Sequence, residues 1–158
     1  MELKIRCGAD DDAEQAIDVI RRSIIELCES DHRNDSAEIA EWVRNKTEES
    51  WRKWVNSSLG VVLVAERGGQ LVGVSMMDVE GSILLNYVHP DARYTGVSKG
   101  LMMTMETYAK NRGIGRCTIQ STKTALAFYE RCGYFSIKED STELVLEKNL
   151  LSPQETGA

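Results

Sequence analysis

Between an apolar run and an amphipathic one, residues 93–100 bring together Arg93, Lys99, Gly96 and Gly100. Those residue types at that spacing suit the holding of an anion. A glycine lets the backbone turn tightly or come close to a ligand. The amides of a first helical turn have no intrahelical partner and carry the positive end of the dipole, which suits a phosphate or pyrophosphate. Arg93 and Lys99 flank Gly96 and can add charge there. The same stretch also fits an ordinary strand–turn–helix corner with two solvated cations. G-x-x-x-x-G-K-[ST] is absent and no G-x-G-x-x-G follows a strand, so neither an NTPase loop nor a dinucleotide fingerprint is supported. For proton transfer the chain offers His32, set among Asp31 and Asp35 in a polar stretch, and His89 before Pro90. A histidine titrating near neutrality can take a proton from an ammonium. A structural loop histidine is the commoner fate, and a chain of waters does the same work. Asn86, Glu80 and Asp78 lie on or near apolar strands, within reach of a substrate bound there.

The elements that must position these groups follow from periodicity. Ile83, Leu84, Leu85, Tyr87 and Val88 predict a strand over 82–88, stopped by Pro90, which has no N–H to donate. Leu101, Met105 and Tyr108, flanked by Met102 and Ala109, predict the next helix, with Gly113 as its closing glycine. Upstream, Leu3, Ile5 and Cys7 alternate as a half-buried strand. Asp11 and Glu14 resemble a capping box opening a helix near Asp12 that runs to about Cys28. Residues 29–35 read as a polar loop; Ser36 caps a second helix and Thr47 a third. Three apolar runs at 61–66, 70–79 and 82–88, broken at Gly68-Gly69 and Glu80-Gly81, predict an antiparallel meander. Residues 115–120 read as a strand, 125–129 as a helix closed by Gly133, and 134–139 with 142–148 as a last strand pair. This order predicts an α/β (α+β) three-layer fold, a central mixed and mostly antiparallel sheet with helices on both faces. One domain is expected over 1–149, with 150–158 as a disordered tail.

Composition excludes several classes. A length of 158 residues suits one domain, and 42% hydrophobic with 28% charged content is ordinary for a globular protein. A net charge of -6 argues against nucleic acid as the partner. No apolar run approaches a membrane span, and the N-terminus has no signal-peptide core. Cys7, Cys28, Cys117 and Cys132 lie far apart with no C-x-x-C pair, so neither a metal nor a disulfide is expected, and reduced thiols in a cytoplasm are. Trp42, Trp51 and Trp54 sit at core-like spacing, with a substrate wall as the alternative. Met76, Met77, Met102, Met103 and Met105 read as core filling.

Val88, Pro90, Arg93, Gly96, Val97 and Ser98, followed by a helix, resemble the acyl-CoA pyrophosphate loop of the GNAT superfamily of N-acetyltransferases. That loop usually reads [Q/R]-x-x-G-x-[G/A] after V-x-P. Ser98 departs from it where Gly or Ala is usual. A second stretch, Ala125 to Phe135, is similar to the superfamily's N-x-x-A-x-x-x-Y-[E/K]-x-x-G-[F/Y] helix, with Thr122 where asparagine is common. The resemblance spans about residues 2–148, strongest over 61–137. It implies the GNAT fold and transfer of an acetyl group from acetyl-CoA to a primary amine in a ternary complex. It implies a CoA site at Tyr87, Val88, Arg93, Tyr94, Thr95, Gly96, Val97, Ser98, Lys99 and Thr122; the substrate contacts expected at His32 and Asn86 rest on their residue types and places in the chain alone. Backbone N–H groups near Val88 would steady the oxyanion, and Tyr129 would protonate the departing thiolate. Without the motif, Tyr129 reads as packing with Phe128. A sheet-edge homodimer is common in the superfamily. A non-catalytic acyl-CoA-binding or sensor module on the same fold is the rival, favoured by Ser98 and Thr122 and disfavoured by Tyr129. A CoA-independent interaction domain is the third reading.

Overall fold

The computed structural model describes residues 2–137 and 143–151. In chain order the strands are β1 (Leu3–Cys7), β2 (Gly60–Arg67), β3 (Gln70–Asp78), β4 (Ser82–Val88), β5 (Arg116–Ser121), β6 (Phe135–Ser136) and β7 (Leu144–Asn149). The helices are α1 (Ala13–Leu27), α2 (Glu29–His32), α3 (Ser36–Val43), α4 (Glu48–Val55), α5 (Val97–Asn111) and α6 (Leu126–Arg131). The seven strands form one sheet in the order β1-β2-β3-β4-β5-β7-β6. Every pairing is antiparallel except β4 with β5. The expected mixed sheet with helices on both faces is therefore present.

Side-chain alternation splits the core in two. Along β2, Val61, Leu63 and Ala65 join α5 and α6, whereas Val62 and Val64 join α1 and α4. Period-two alternation on a strand covered on both faces explains why it reads as one unbroken apolar run. On the first face Leu101, Met102 and Met105 of α5 are buried; on the second Ile20, Ile24 and Trp51 are fully enclosed. Gly73 lets α5 lie close to the sheet, because a Cβ there would stand 2.5 Å from Val97 Cγ1.

β4 carries a bulge. Met76 pairs with Leu85 but Met77 pairs with Ile83, so Leu84 is the extra residue. The bulge turns the strand over: Ile83 belongs to the α5/α6 face, while Leu85 and Tyr87 belong to the α1 face. Past Leu84, Asn86 and Val88 consequently look toward α5 and α6.

Several local expectations are corrected. Asp11 and Glu14 form no capping box; Asp12 instead accepts from the Ala9 amide at 2.8 Å and holds Arg6 at 2.8 and 3.0 Å. Asp35, not Ser36, caps α3, accepting from the Glu38 amide. Thr47 caps α4 as expected. Residues 29–32 form a helical turn rather than a loop. α5 begins at Val97, so Ser98, Lys99 and Gly100 are its first turn. Met103 is 60% exposed and fills no core. Leu150, just after β7, is buried and its amide donates to Gly115 O. The expected strand over 134–139 is seen as Phe135–Ser136; residues 138–142, and 152–158 of the expected tail, lie outside the described residues.

Candidate functional site

The site begins where two parallel strands part. β4 and β5 pair only at Ser82 with Thr118 and Ile83 with Ile119. Beyond Ile83 they diverge. The His89 amide donates to Val72 O, and alternation from there turns the backbone groups of Leu85 and Tyr87 toward β3. The N–H and C=O of Asn86 and Val88 then face the gap, where no strand pairs with them. The right-handed twist of neighbouring strands widens such a gap once pairing stops.

A cavity of about 490 Å³ occupies this gap. Its walls are β4, the start of α5, the end of β5, α6, and Ser23, Leu27 and Cys28 at the end of α1. Leu84, displaced by the bulge, lines it and is 53% exposed. The start of α5 forms one end. Gly96 has φ 89°, a left-handed conformation that brings the chain into the helix directly under the gap. The amides of Val97, Ser98 and Lys99 have no intrahelical acceptor. Arg93, Lys99 and Arg131 line the same cavity, and none forms an ion pair among the described residues. Arg93 lies 4.6 Å over the ring of Tyr94, which is 87% exposed. Three cations with no carboxylate partner among the described residues thus stand beside the free amides of a helix start, an arrangement that suits an anion.

Tyr129 stands deeper in the gap. It is 3% exposed, and its Oη accepts from Asn86 Nδ2 at 3.0 Å. Burial pushes the phenol above its ordinary value, and the Asn86 hydrogen bond works the other way. The phenol thus keeps its proton through the neutral range. Cys28 also lines the cavity; burial first and then Asp31 push its thiol up to about 12, so it stays protonated.

The remaining expected site residues divide. Tyr87 reaches the cavity wall but its hydroxyl accepts from Trp42 Nε1 at 3.2 Å, and burial pushes the phenol up to about 12. Val97, the first residue of α5, lines the cavity and is 1% exposed. Ser98 lines the cavity where a glycine or alanine was the usual residue. Thr122 lines it too, with its hydroxyl accepting from the Ala125 amide at 3.1 Å and so opening α6. Thr95 is turned away: its hydroxyl donates to Ala92 O and accepts from Arg67 Nη1 at 3.0 Å. His32 is not available for proton transfer. It is 1% exposed, Nδ1 accepts from the Asn34 amide at 3.0 Å, and Nε2 therefore donates to Ile24 O at 2.7 Å. His89 Nδ1 accepts from the Asp91 amide, and its Nε2 faces Arg22 Nη1 at 3.0 Å. Asp78 accepts from the Glu80 and Ser82 amides and so shapes the β3–β4 turn. Trp42, Trp51 and Trp54 pack on the α1 face and none lines the cavity.

Sequence reasoning missed the strap above the gap. Asp31 accepts from the Lys123 amide at 2.7 Å and from Thr124 Oγ1 at 2.7 Å, tying α2 to the β5–α6 loop. A contact between residues 92 or more positions apart leaves no local signal. Arg131 was missed as well, although its spacing after Tyr129 places it one helical half-turn away. Among the described residues no cluster of His, Cys, Asp and Glu can hold a metal, and no helix is long and apolar enough to cross a membrane.

Known proteins share this architecture. The PaiA N-acetyltransferase of Thermoplasma acidophilum, solved in complex with coenzyme A, superposes with TM-score 0.84 at 21% identity, over 94% of this chain and 99% of that one. A GCN5-related N-acetyltransferase of Rhodopseudomonas palustris gives TM-score 0.83 at 21% identity, over 94% and 96% of the two chains. An N-acetyltransferase of Staphylococcus aureus gives 0.69 at 16% identity, over 96% and 100%. At such identities the likeness speaks for the fold. The sequence itself matches the acetyltransferase (GNAT) domain over residues 28–144, most of its length, and the chain therefore belongs to the GNAT acetyltransferase family.

Proposed function

We propose that this GNAT acetyltransferase moves an acetyl group from acetyl-CoA to a primary amine by direct attack in a ternary complex. One observation carries the reading: β4 and β5 part directly in front of the start of α5, and the buried phenol of Tyr129 stands in the same cavity. The amides of Val97, Ser98 and Lys99 hold the pyrophosphate, with charge from Arg93, Lys99 and Arg131. The open backbone of Asn86 and Val88 pairs with the pantetheine and steadies the oxyanion. The amine nitrogen attacks the thioester carbon, and the C–S bond breaks. Tyr129 O–H gives its proton to the sulfur, and the surplus proton of the new amide nitrogen returns to the phenolate through water. Burial supports Tyr129 as the acid, because it keeps the phenol protonated until the thiolate forms. No histidine is needed as base if water carries outward the proton that the ammonium loses before attack; the second proton, lost from nitrogen after attack, is the one that restores the phenol.

The CoA-bound state of the PaiA neighbour supports the ligand class. Four free thiols support a reducing cytoplasm as the working compartment. A homodimer through a sheet edge would use β1 or β6, and sedimentation velocity decides it.

Titration calorimetry with acetyl-CoA, free CoA and ATP tests the binding half. Binding of both CoA species and not ATP is expected; no acetyl-CoA binding overturns the reading. An amine panel followed by CoA release tests the transfer half, and silence across amines that include peptide termini, lysine, polyamines and amino acids overturns it.

A further inference from the structure

Among the described residues, the half-buried Asn86 is the one side chain in the gap with a buried polar atom left without a partner. Its Nδ2 donates to Tyr129 Oη at 3.0 Å, and its Oδ1 is buried with no partner among the described residues. An unpaired buried amide oxygen is destabilising, and a leucine of similar volume would serve the core better. The bulge at Leu84 is what turns Asn86 toward Tyr129; without it the side chain would face α1. The direction of the hydrogen bond matters. Because the phenol oxygen accepts from Asn86, its own proton is free for a second acceptor in the cavity.

Resting on the acid role of Tyr129 proposed above, we infer that Asn86 is the positioning residue of the general acid: its amide N–H holds the phenol oxygen so that the O–H points at the thioester sulfur, and the same N–H stabilises the phenolate left after the proton has gone to sulfur. The balance is the one already given: the C–S bond breaks, the phenol proton forms S–H, and the amine's proton restores the phenol. The other groups facing this phenol are Tyr87 from β4, Cys28 from the end of α1 and Cys132 from α6, all neutral near pH 7, with the Tyr134 ring 6.0 Å away. Asp31 and Arg93 stand behind Cys28. No other donor to the Tyr129 oxygen is present among the described residues.

Free CoA as the probe makes the test independent of the acceptor. The thiol of bound CoA is titrated by its ultraviolet thiolate absorbance, with desulfo-CoA as the blank. In the wild type a thiolate receiving the Tyr129 O–H should titrate roughly one pH unit lower than in Tyr129→Phe. Asn86→Leu should remove most of that difference, and should change nothing further when added to Tyr129→Phe. Asn86→Ala loses the N–H donor and adds no charge, so it should remove the same difference. It also covers the case in which the leucine variant fails to fold. Asn86 variants that titrate like wild type, or that shift the thiol equally in the Tyr129→Phe background, overturn the inference while leaving Tyr129 as the acid. A thiol indifferent to Tyr129→Phe overturns the acid reading itself, and the two failures are thereby separate.

Discussion

Tyr129 and His32 are both buried residues with polar atoms, and their surroundings give them opposite fates. The phenol has one donor beside it and a cavity in front, so its proton has somewhere to go. The imidazole has both nitrogens engaged with backbone and no open side. Tyr129→Phe should lower kcat by about 10²–10⁴-fold, the usual worth of a positioned proton donor. Acetyl-CoA affinity by calorimetry should stay near wild type, because the phenol binds no phosphate. A variant with unchanged turnover would remove Tyr129 from the mechanism. His32→Ala should instead lower stability by about 1–3 kcal/mol, since it leaves Ile24 O and the Asn34 amide unpartnered. Urea unfolding measures that loss, while turnover of the folded fraction should be unaltered. A turnover collapse without a stability change would reinstate His32 as a participant.

At the scale of elements, the start of α5 and the joint between β1 and α1 carry the clearest expectations. A methyl group on Gly96 would meet nothing within 4 Å beyond its own stretch of chain, yet its φ of 89° is costly for any other residue. Gly96→Ala should therefore fold, lose about 1–2 kcal/mol from left-handed strain, and bind acetyl-CoA more weakly, because the first turn of α5 shifts away from the gap. Calorimetry beside a melting curve separates the two effects; unaltered affinity would mean that the α5 amides hold no phosphate. At the other joint, Arg6 holds Asp12 through two hydrogen bonds, and the Ala9 amide adds a third. The Arg6 hydrogen bond is the main cause that holds the Asp12 carboxyl below its ordinary value. A depressed folded value stabilises the fold above the unfolded carboxyl range, about pH 4. That stability is lost as pH falls through the folded value. Urea midpoints measured from pH 6 downward should drop less steeply in Asp12→Asn than in wild type, and parallel curves would remove the linkage.

For the whole molecule, the gap between β4 and β5 opens through the sheet that separates the two cores. The cavity is bordered by α1 from one core and by α5 and α6 from the other. A ligand filling it should add contacts to both. Acetyl-CoA at about 100 times its dissociation constant should stabilise the folded state by about 2.7 kcal/mol. The melting temperature should rise with ligand concentration, and ATP at the same concentration should raise it less. A melting temperature indifferent to acetyl-CoA would place the ligand elsewhere or nowhere.

The order of elements apart from α2, the hairpins at Gly68-Gly69 and Gly81, the loop around Gly96 and the place of Tyr129 on a short helix are all legible in the linear chain. Each of these is written in local periodicity, turn residues or a short motif, so a window of ten or twenty residues contains the information. Which of the candidate groups meet depends on packing between distant segments. The bulge at Leu84 depends on how β4 registers against β3, and the three apolar residues Ile83, Leu84 and Leu85 announce a strand without announcing that it turns over. That turn sends Asn86 to Tyr129, 43 residues away, and sends Tyr87 to Trp42. The polar stretch around His32 reads as a loop, yet α2 folds it back so that the ring donates to Ile24 O of α1 and Asp31 straps the β5–α6 loop. Thr95 stood in the right motif, and Arg67 from β2 turned it out of the cavity. Local propensity fixes what each segment becomes; which face it shows and what it touches is fixed by packing between segments that the chain brings together only when it is folded.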